Sequence, residues 1–159
     1  MKIDLIQEIP FGTNIQSIKV PEVLKKRIST GINYFDAVIG GEGFTPSMVT
    51  LFTGTPGAGK TTMMLNLANS LQGLGSQVVF NTAEESLHQV KMTCDRLMLR
   101  NEFMVGGLDN VQELLEGCDK IRESHSDRPF FLIIDSLQCM SDGYFKSGRI
   151  TSATAERSL

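Results

Sequence analysis

The sequence predicts an α/β fold built on a parallel sheet flanked by helices. Three observations carry that expectation. Short apolar runs rich in β-branched residues alternate with stretches of helical periodicity, the pattern of a parallel sheet crossed by helices. The run FFLIID at 130–135 is apolar at successive positions, as strands buried on both faces are. A glycine-rich loop, TGTPGAGKTT from Thr53 to Thr62, stands between an expected strand and an expected helix.

The elements follow in order. Residues 1–27 read as irregular and polar, with Pro10, Gly12 and Pro21 as breakers, and end in the charged triplet Lys25–Arg27. The stretch STGINYFDAVIGG predicts a short helix capped by Ser29 or Thr30, with Ile32, Phe35 and Ile39 on one face and Gly40–Gly41 at its end. MVTLFTG (48–54) reads as a buried strand. Residues 61–72 predict a helix with Met64, Leu65, Leu67, Ala68 and Leu71 at helical spacing. QVVFNT (77–82) is the next strand, 85–99 the next helix, and EFMV a short strand. Residues 110–124 predict a helix with Val111, Leu114, Leu115, Cys118 and Ile121 on one face. FFLIID follows, and TSATAERSL at the end reads as the start of a further helix.

The bulk composition narrows the class. At 159 residues, one domain is expected. A formal charge of −3 argues against a wholly basic nucleic-acid binder while allowing a local basic patch. Cys94, Cys118 and Cys139, with His88 and His125, show no metal-ligand spacing, so a zinc site is not expected. Isolated cysteines fit a reducing compartment. No run of about eighteen apolar residues offers a membrane span, and the N-terminus does not read as a signal peptide. A cytoplasmic protein is expected. The eight methionines, spread through helical faces, read as core filler.

The loop has the full Walker A spacing, Gly54-x-x-x-x-Gly59-Lys60-Thr61, which is that of a P-loop NTPase. Gly54, Thr55, Pro56, Gly57, Ala58 and Gly59 form the turn that lets successive N–H groups face phosphate oxygens. The helix that follows, with Thr62 in its first turn, adds its positive end. Lys60 is placed to reach the β- and γ-phosphates of ATP, and the Thr61 hydroxyl to ligate Mg²⁺. Asp135 ends a strand, where ligands gather in open α/β sheets. It has the position of a Walker B acid that holds Mg²⁺, usually through water; the alternative is an aspartate that caps a turn. Glu84 and Glu85 follow the strand at 77–82. Such a pair can orient and deprotonate an attacking water, or simply interact with the dipole of the next helix.

Taken together, RISTGINYFDAVIGG, TGTPGAGKTT, VVFNTAEES and IIDSLQ resemble the RecA-like ATPases, most of all their RadA/Sms branch, with DnaB-type helicases and KaiC-like proteins nearby. The resemblance runs from about Arg27 to the C-terminus. It implies a RecA-like domain over 28–159, after an extension at 1–27. It also implies that Glu84 activates water, that Glu85 matches the second acid of KaiC-like proteins, and that Asp135 is the magnesium-associated acid. Gln138 matches the glutamine of a DxxQ stretch near the γ-phosphate, and Arg96 an arginine at a surface or adenine edge.

The departures are equally definite. The four-cysteine zinc module, the KNRFG-like motif, the DNA-contacting loops and the protease-like domain of RadA/Sms proteins have no counterpart here, and the sequence ends soon after the Walker B strand, as a truncated core. The implied function is an Mg-dependent ATPase core of a DNA repair or recombination protein. Its implied partners are ATP, single-stranded DNA, and further copies or a full-length homologue, with no membrane. Such ATPases complete their sites with a neighbour's arginine or lysine, worth ~10³-fold or more in rate, so slow hydrolysis by the chain alone is expected. A nucleotide-responsive interaction module, a DnaB-type helicase and a KaiC-like signalling ATPase are the alternatives.

Overall fold

The computed structural model describes residues 9–125 and 127–142. They fall into two compact units, Met1–Leu51 and Phe52–Leu159. The expected helix at 151–159 and the basic residues Lys146 and Arg149 lie outside the described residues.

In the first unit, the stretch expected to be irregular holds two short turns. A 3-10 turn, Ile15–Ser17, is capped by Asn14, whose side chain accepts from the Gln16 N–H at 2.9 Å. The single turn α1, Glu22–Lys25, starts after Pro21, a residue that lacks an N–H and costs nothing at a helix start. Helix α2, Asn33–Val38, begins later than expected, and neither Ser29 nor Thr30 caps it. Both serve the Asp36 carboxylate instead. Ser29 Oγ donates to it at 2.7 Å, Thr30 Oγ1 at 2.6 Å and the Thr30 N–H at 2.9 Å. A buried carboxylate needs these donors more than an exposed helix end needs a cap. Phe35 is buried against Phe44, with ring centroids 5.9 Å apart. A two-way bridge between Ile28 and Phe44 closes the unit.

Asp36 makes this cluster sensitive to acid. Burial works against its charged form, but the Thr30 and Ser29 hydrogen bonds prevail and hold its carboxyl below the ordinary 3.8. A folded value below the unfolded one gives stability that is complete above the unfolded value and is lost as pH falls through the folded one. Asp36→Asn is expected to destabilise the chain by about 1–3 kcal/mol at pH 7. Denaturant midpoints measured down the pH scale should show the gap between variant and wild type closing below the unfolded carboxyl range. A gap that stays constant would show that the ionised form contributes nothing.

The second unit holds the sheet. Its elements are α3 (Lys60–Gly73), β1 (Gln77–Thr82), α4 (Leu87–Arg96), β2 (Met104–Gly106), α5 (Val111–Ser124) and β3 (Phe130–Asp135), followed by a 3-10 turn, Leu137–Cys139. The three strands are parallel in the order β2-β1-β3, so the α/β class is as the sequence implies. β1 is central and buried along its whole length, with Val78 and Phe80 at zero exposure. The register pairs Thr82 with Asp135, which brings the carboxyl ends of β1 and β3 level.

Helix α5 covers one face of the sheet. Leu114 and Cys118 form a cluster there with Val79 and Met140, and Val111, Ile121 and Leu132 pack around it. Leu115, expected on the same face, is 48% exposed; it lies at the rim of the stripe. Helix α3 packs on β1 and β3 and buries all five apolar residues expected of it.

Three further expectations need correction. Residues 48–54 form no strand, and Val49 is 83% exposed. An apolar, β-branched composition suits a pleated, half-buried surface but does not supply a ladder partner. β3 is half-buried rather than buried, because it lies at one edge of the described sheet while β1 has a strand on each side. Helix α4 is shorter than 85–99. Ser86 and Gln89 form a reciprocal capping box that starts it at Leu87, and Met98, at φ 55°, turns the chain away after Arg96.

Candidate functional site

The loop from Gly54 to Gly59 delivers the chain into α3. Gly57 and Gly59 take φ of 78° and 84°, a backbone region costly for residues with a Cβ. A Cβ at either would meet nothing within 4 Å, so conformation rather than space requires glycine. Inside the loop the Ala58 N–H donates to the Thr55 carbonyl at 3.2 Å. Thr55, Pro56, Gly57 and Ala58 are exposed. Lys60 Nζ folds back over the loop, donating to the carbonyls of Gly54 at 3.0 Å and Thr55 at 3.2 Å. Thr62, one residue past Thr61, accepts from Asn66 through its carbonyl.

Two sequence-distant pieces meet at the start of α3. Thr61 Oγ1 donates to Asp135 Oδ2 at 2.6 Å. Side chains alternate along a strand, so Asp135 shares a face of β3 with Ile133, and the Thr61 bond sets the start of α3 on that face. The hydroxyl and the carboxylate are hard oxygen donors of the kind Mg²⁺ takes. Among the described residues, no group of three or more His, Cys, Asp or Glu gathers as a metal cage. Mg²⁺ characteristically needs no such cage, because it keeps waters and takes phosphate oxygens. The donor set here fits that habit.

The acid pair divides. The Ala83 N–H donates to the Asp135 carbonyl at 2.9 Å, continuing the β1–β3 ladder one residue further. Glu84 comes next, and its Oε2 accepts from Ser136 Oγ at 3.1 Å. Glu84 therefore stands beside the residue that follows Asp135. Glu85 is held by its backbone instead: Thr82 Oγ1 accepts from its N–H and donates to its carbonyl, both at 3.0 Å. Its side chain is exposed. Gln138 lies exposed in the 3-10 turn after β3. Arg96 is exposed at the end of α4. The structure thus brings Thr61, Asp135 and Glu84 to one end of the sheet and leaves Arg96 on the surface.

Sequence reasoning passed over Ser136 and Thr82. The available signal was a hydroxyl one residue beyond a strand-end acid, and another three residues before an acid. Neither stands out without the strand register.

Cys94 and Cys118 are free thiols, and among the described residues neither bonds to Thr61, Asp135 or Glu84. Burial pushes the Cys94 thiol up, with Asp95 adding to and Lys91 opposing the effect; burial does the same to Cys118, with Asp119 adding to it. A raised thiol is a poor nucleophile. A cavity of about 400 Å³ lies away from the loop, between β1, β2 and α5. Its walls include Val79, Met104, Leu108 and Leu114. Asn81 at its edge already exchanges two hydrogen bonds with the Leu108 backbone, at 2.7 and 3.0 Å.

Comparison with known proteins gives a consistent result. The family model "ATPase: KaiC" matches residues 28–103. The chain is 33% identical over 131 residues to the DNA repair protein RadA of Streptococcus pneumoniae, covering 80% of this chain and 29% of that protein. It is 35% identical over 129 residues to RadA of Campylobacter jejuni, covering 80% and 26%. RadA of Mycobacterium tuberculosis is 32% identical over 115 residues, covering 70% and 22%. The chain spans less than a third of the length of these curated relatives.

Proposed function

The chain is a RecA-like P-loop ATPase of the RadA branch, and from that premise we propose that it binds ATP with Mg²⁺ and hydrolyses it to ADP and phosphate, in a DNA repair or recombination protein whose turnover is coupled to DNA. The observation that carries this reading is the 2.6 Å contact between Thr61 and Asp135, with Glu84 bonded to the next residue. Walker A hydroxyl, Walker B acid and candidate base share one end of one sheet.

The roles follow from chemistry. Loop N–H groups and the start of α3 receive the phosphates. Lys60 exchanges its carbonyl partners for β- and γ-phosphate oxygens. Thr61 and Asp135 would hold Mg²⁺, directly or through water, and the bound ion would supply positive charge beside the phosphate oxygens. Glu84 takes a proton from water as that oxygen bonds to the γ-phosphorus. The bond from phosphorus to the β–γ bridging oxygen breaks, and ADP departs.

The coupling to DNA is supported by the RadA relatives. The KaiC family match supports a second reading, a signalling ATPase indifferent to DNA. Turnover with and without single-stranded DNA separates the two. DNA is expected to raise the rate, and its affinity to fall linearly with salt on logarithmic axes, as phosphate contacts require. Lys25, Lys26 and Arg27 form the one run of three consecutive basic residues among the described residues. A rate unchanged by DNA favours the signalling reading. DNA binding undiminished at high salt would contradict a backbone mode.

A further inference from the structure

We propose that Ser136 is a positioning residue that holds Glu84 in line for the attacking water. The proposal rests on the reading of Glu84 as the base, and adds the group that fixes it. Glu84 lies exposed in the connection between β1 and α4. An exposed glutamate side chain samples many rotamers, and ordering it costs conformational entropy. Among the described residues its carboxylate has one hydrogen bond, from Ser136 Oγ to Oε2 at 3.1 Å.

Both ends of that bond have anchored backbones. The Ala83 N–H to Asp135 carbonyl bond ties the residue before Glu84 to the residue before Ser136. Ser136 itself is extended, at φ −119° and ψ 152°, and heads the 3-10 turn. The Cys139 N–H donates back to the Ser136 carbonyl at 3.1 Å. Ser136 Oγ also lies 3.5 Å from Cys139 Sγ. A hydroxyl carries one proton, and a carboxylate is a far stronger acceptor than a thiol, so the proton goes to Glu84. With Oε2 engaged, Oε1 is left to accept the proton of the attacking water. The same turn carries Gln138, whose side chain is exposed.

The test is single-turnover hydrolysis of Mg–ATP by the full chain, with protein in excess, for wild type, Ser136→Ala, Ser136→Thr, Glu84→Gln and the Glu84→Gln/Ser136→Ala double variant. Affinity for a non-hydrolysable ATP analogue is measured alongside. Ser136→Ala is expected to slow the chemical step about tenfold, the usual effect of losing one hydrogen bond to a charged group, and to leave analogue affinity unchanged. Ser136→Thr keeps the hydroxyl and should recover most of the rate. The double variant should be no slower than Glu84→Gln alone, because a positioning group has nothing left to position. A merely structural role would lower analogue affinity as well, and its cost would add in full to that of Glu84→Gln. Either result, or a Ser136→Ala rate equal to wild type, overturns the proposal while leaving Glu84 as base. Equal rates for wild type and Glu84→Gln would instead overturn the reading of Glu84, and this role with it.

Discussion

Replacing Lys60 with alanine is expected to abolish Mg–ATP binding at ordinary concentrations, an affinity loss of at least ~100-fold. The ammonium stands at the start of α3 and now bonds two loop carbonyls, at 3.0 and 3.2 Å. A phosphate oxygen is a stronger partner than a carbonyl, because both donor and acceptor are then charged. Two such bonds, each contributing about 1.5–3 kcal/mol, outweigh anything the loop N–H groups recover alone. The fold should be largely untouched, since the carbonyls that Lys60 releases are exposed and can bond to water. Calorimetric titration of the variant with Mg–ATP reads this directly. Unchanged affinity would remove the loop from the site.

Glu84→Gln is expected to separate binding from chemistry. Glutamine keeps the shape and can still accept from Ser136 Oγ, but it cannot take a proton from water. A positioned general base contributes about 10²–10⁴-fold, so the chemical step should slow by that factor while ATP affinity stays near wild type. The contrast with Lys60→Ala is the point of the pair: one variant fails to bind, the other binds and stalls. A Glu84→Gln variant that also lost affinity would make Glu84 part of the binding surface rather than the base.

Much of this arrangement is legible in the sequence, for identifiable reasons. β1 and β3 are readable to the residue, because each is a short apolar run bounded by polar residues and breakers. The P-loop is readable because phosphate binding fixes residue type and spacing together. Asp135 and Glu84 can be named from their places at strand ends. Their nearness cannot: it depends on the register that sets Thr82 beside Asp135, and register is a property of the pair of strands. Ser136 is hidden for the same reason, since its partner lies far away in the chain. The failures at 48–54 and at the α2 cap share another cause. Composition reports what a segment tolerates. Whether it pairs, or whether Ser29 and Thr30 cap a helix or serve Asp36, is decided by what lies opposite.

We propose that Thr61, Asp135 and Glu84 work as one Mg–ATP hydrolysing centre. Its most direct test is conversion of bound ATP to ADP and phosphate by the wild-type chain in a single turnover, with Mg²⁺ and with Mg²⁺ chelated. Conversion is expected to be slow, complete and dependent on Mg²⁺, and faster when single-stranded DNA is added. Bound ATP recovered intact with Mg²⁺ and DNA present would contradict it.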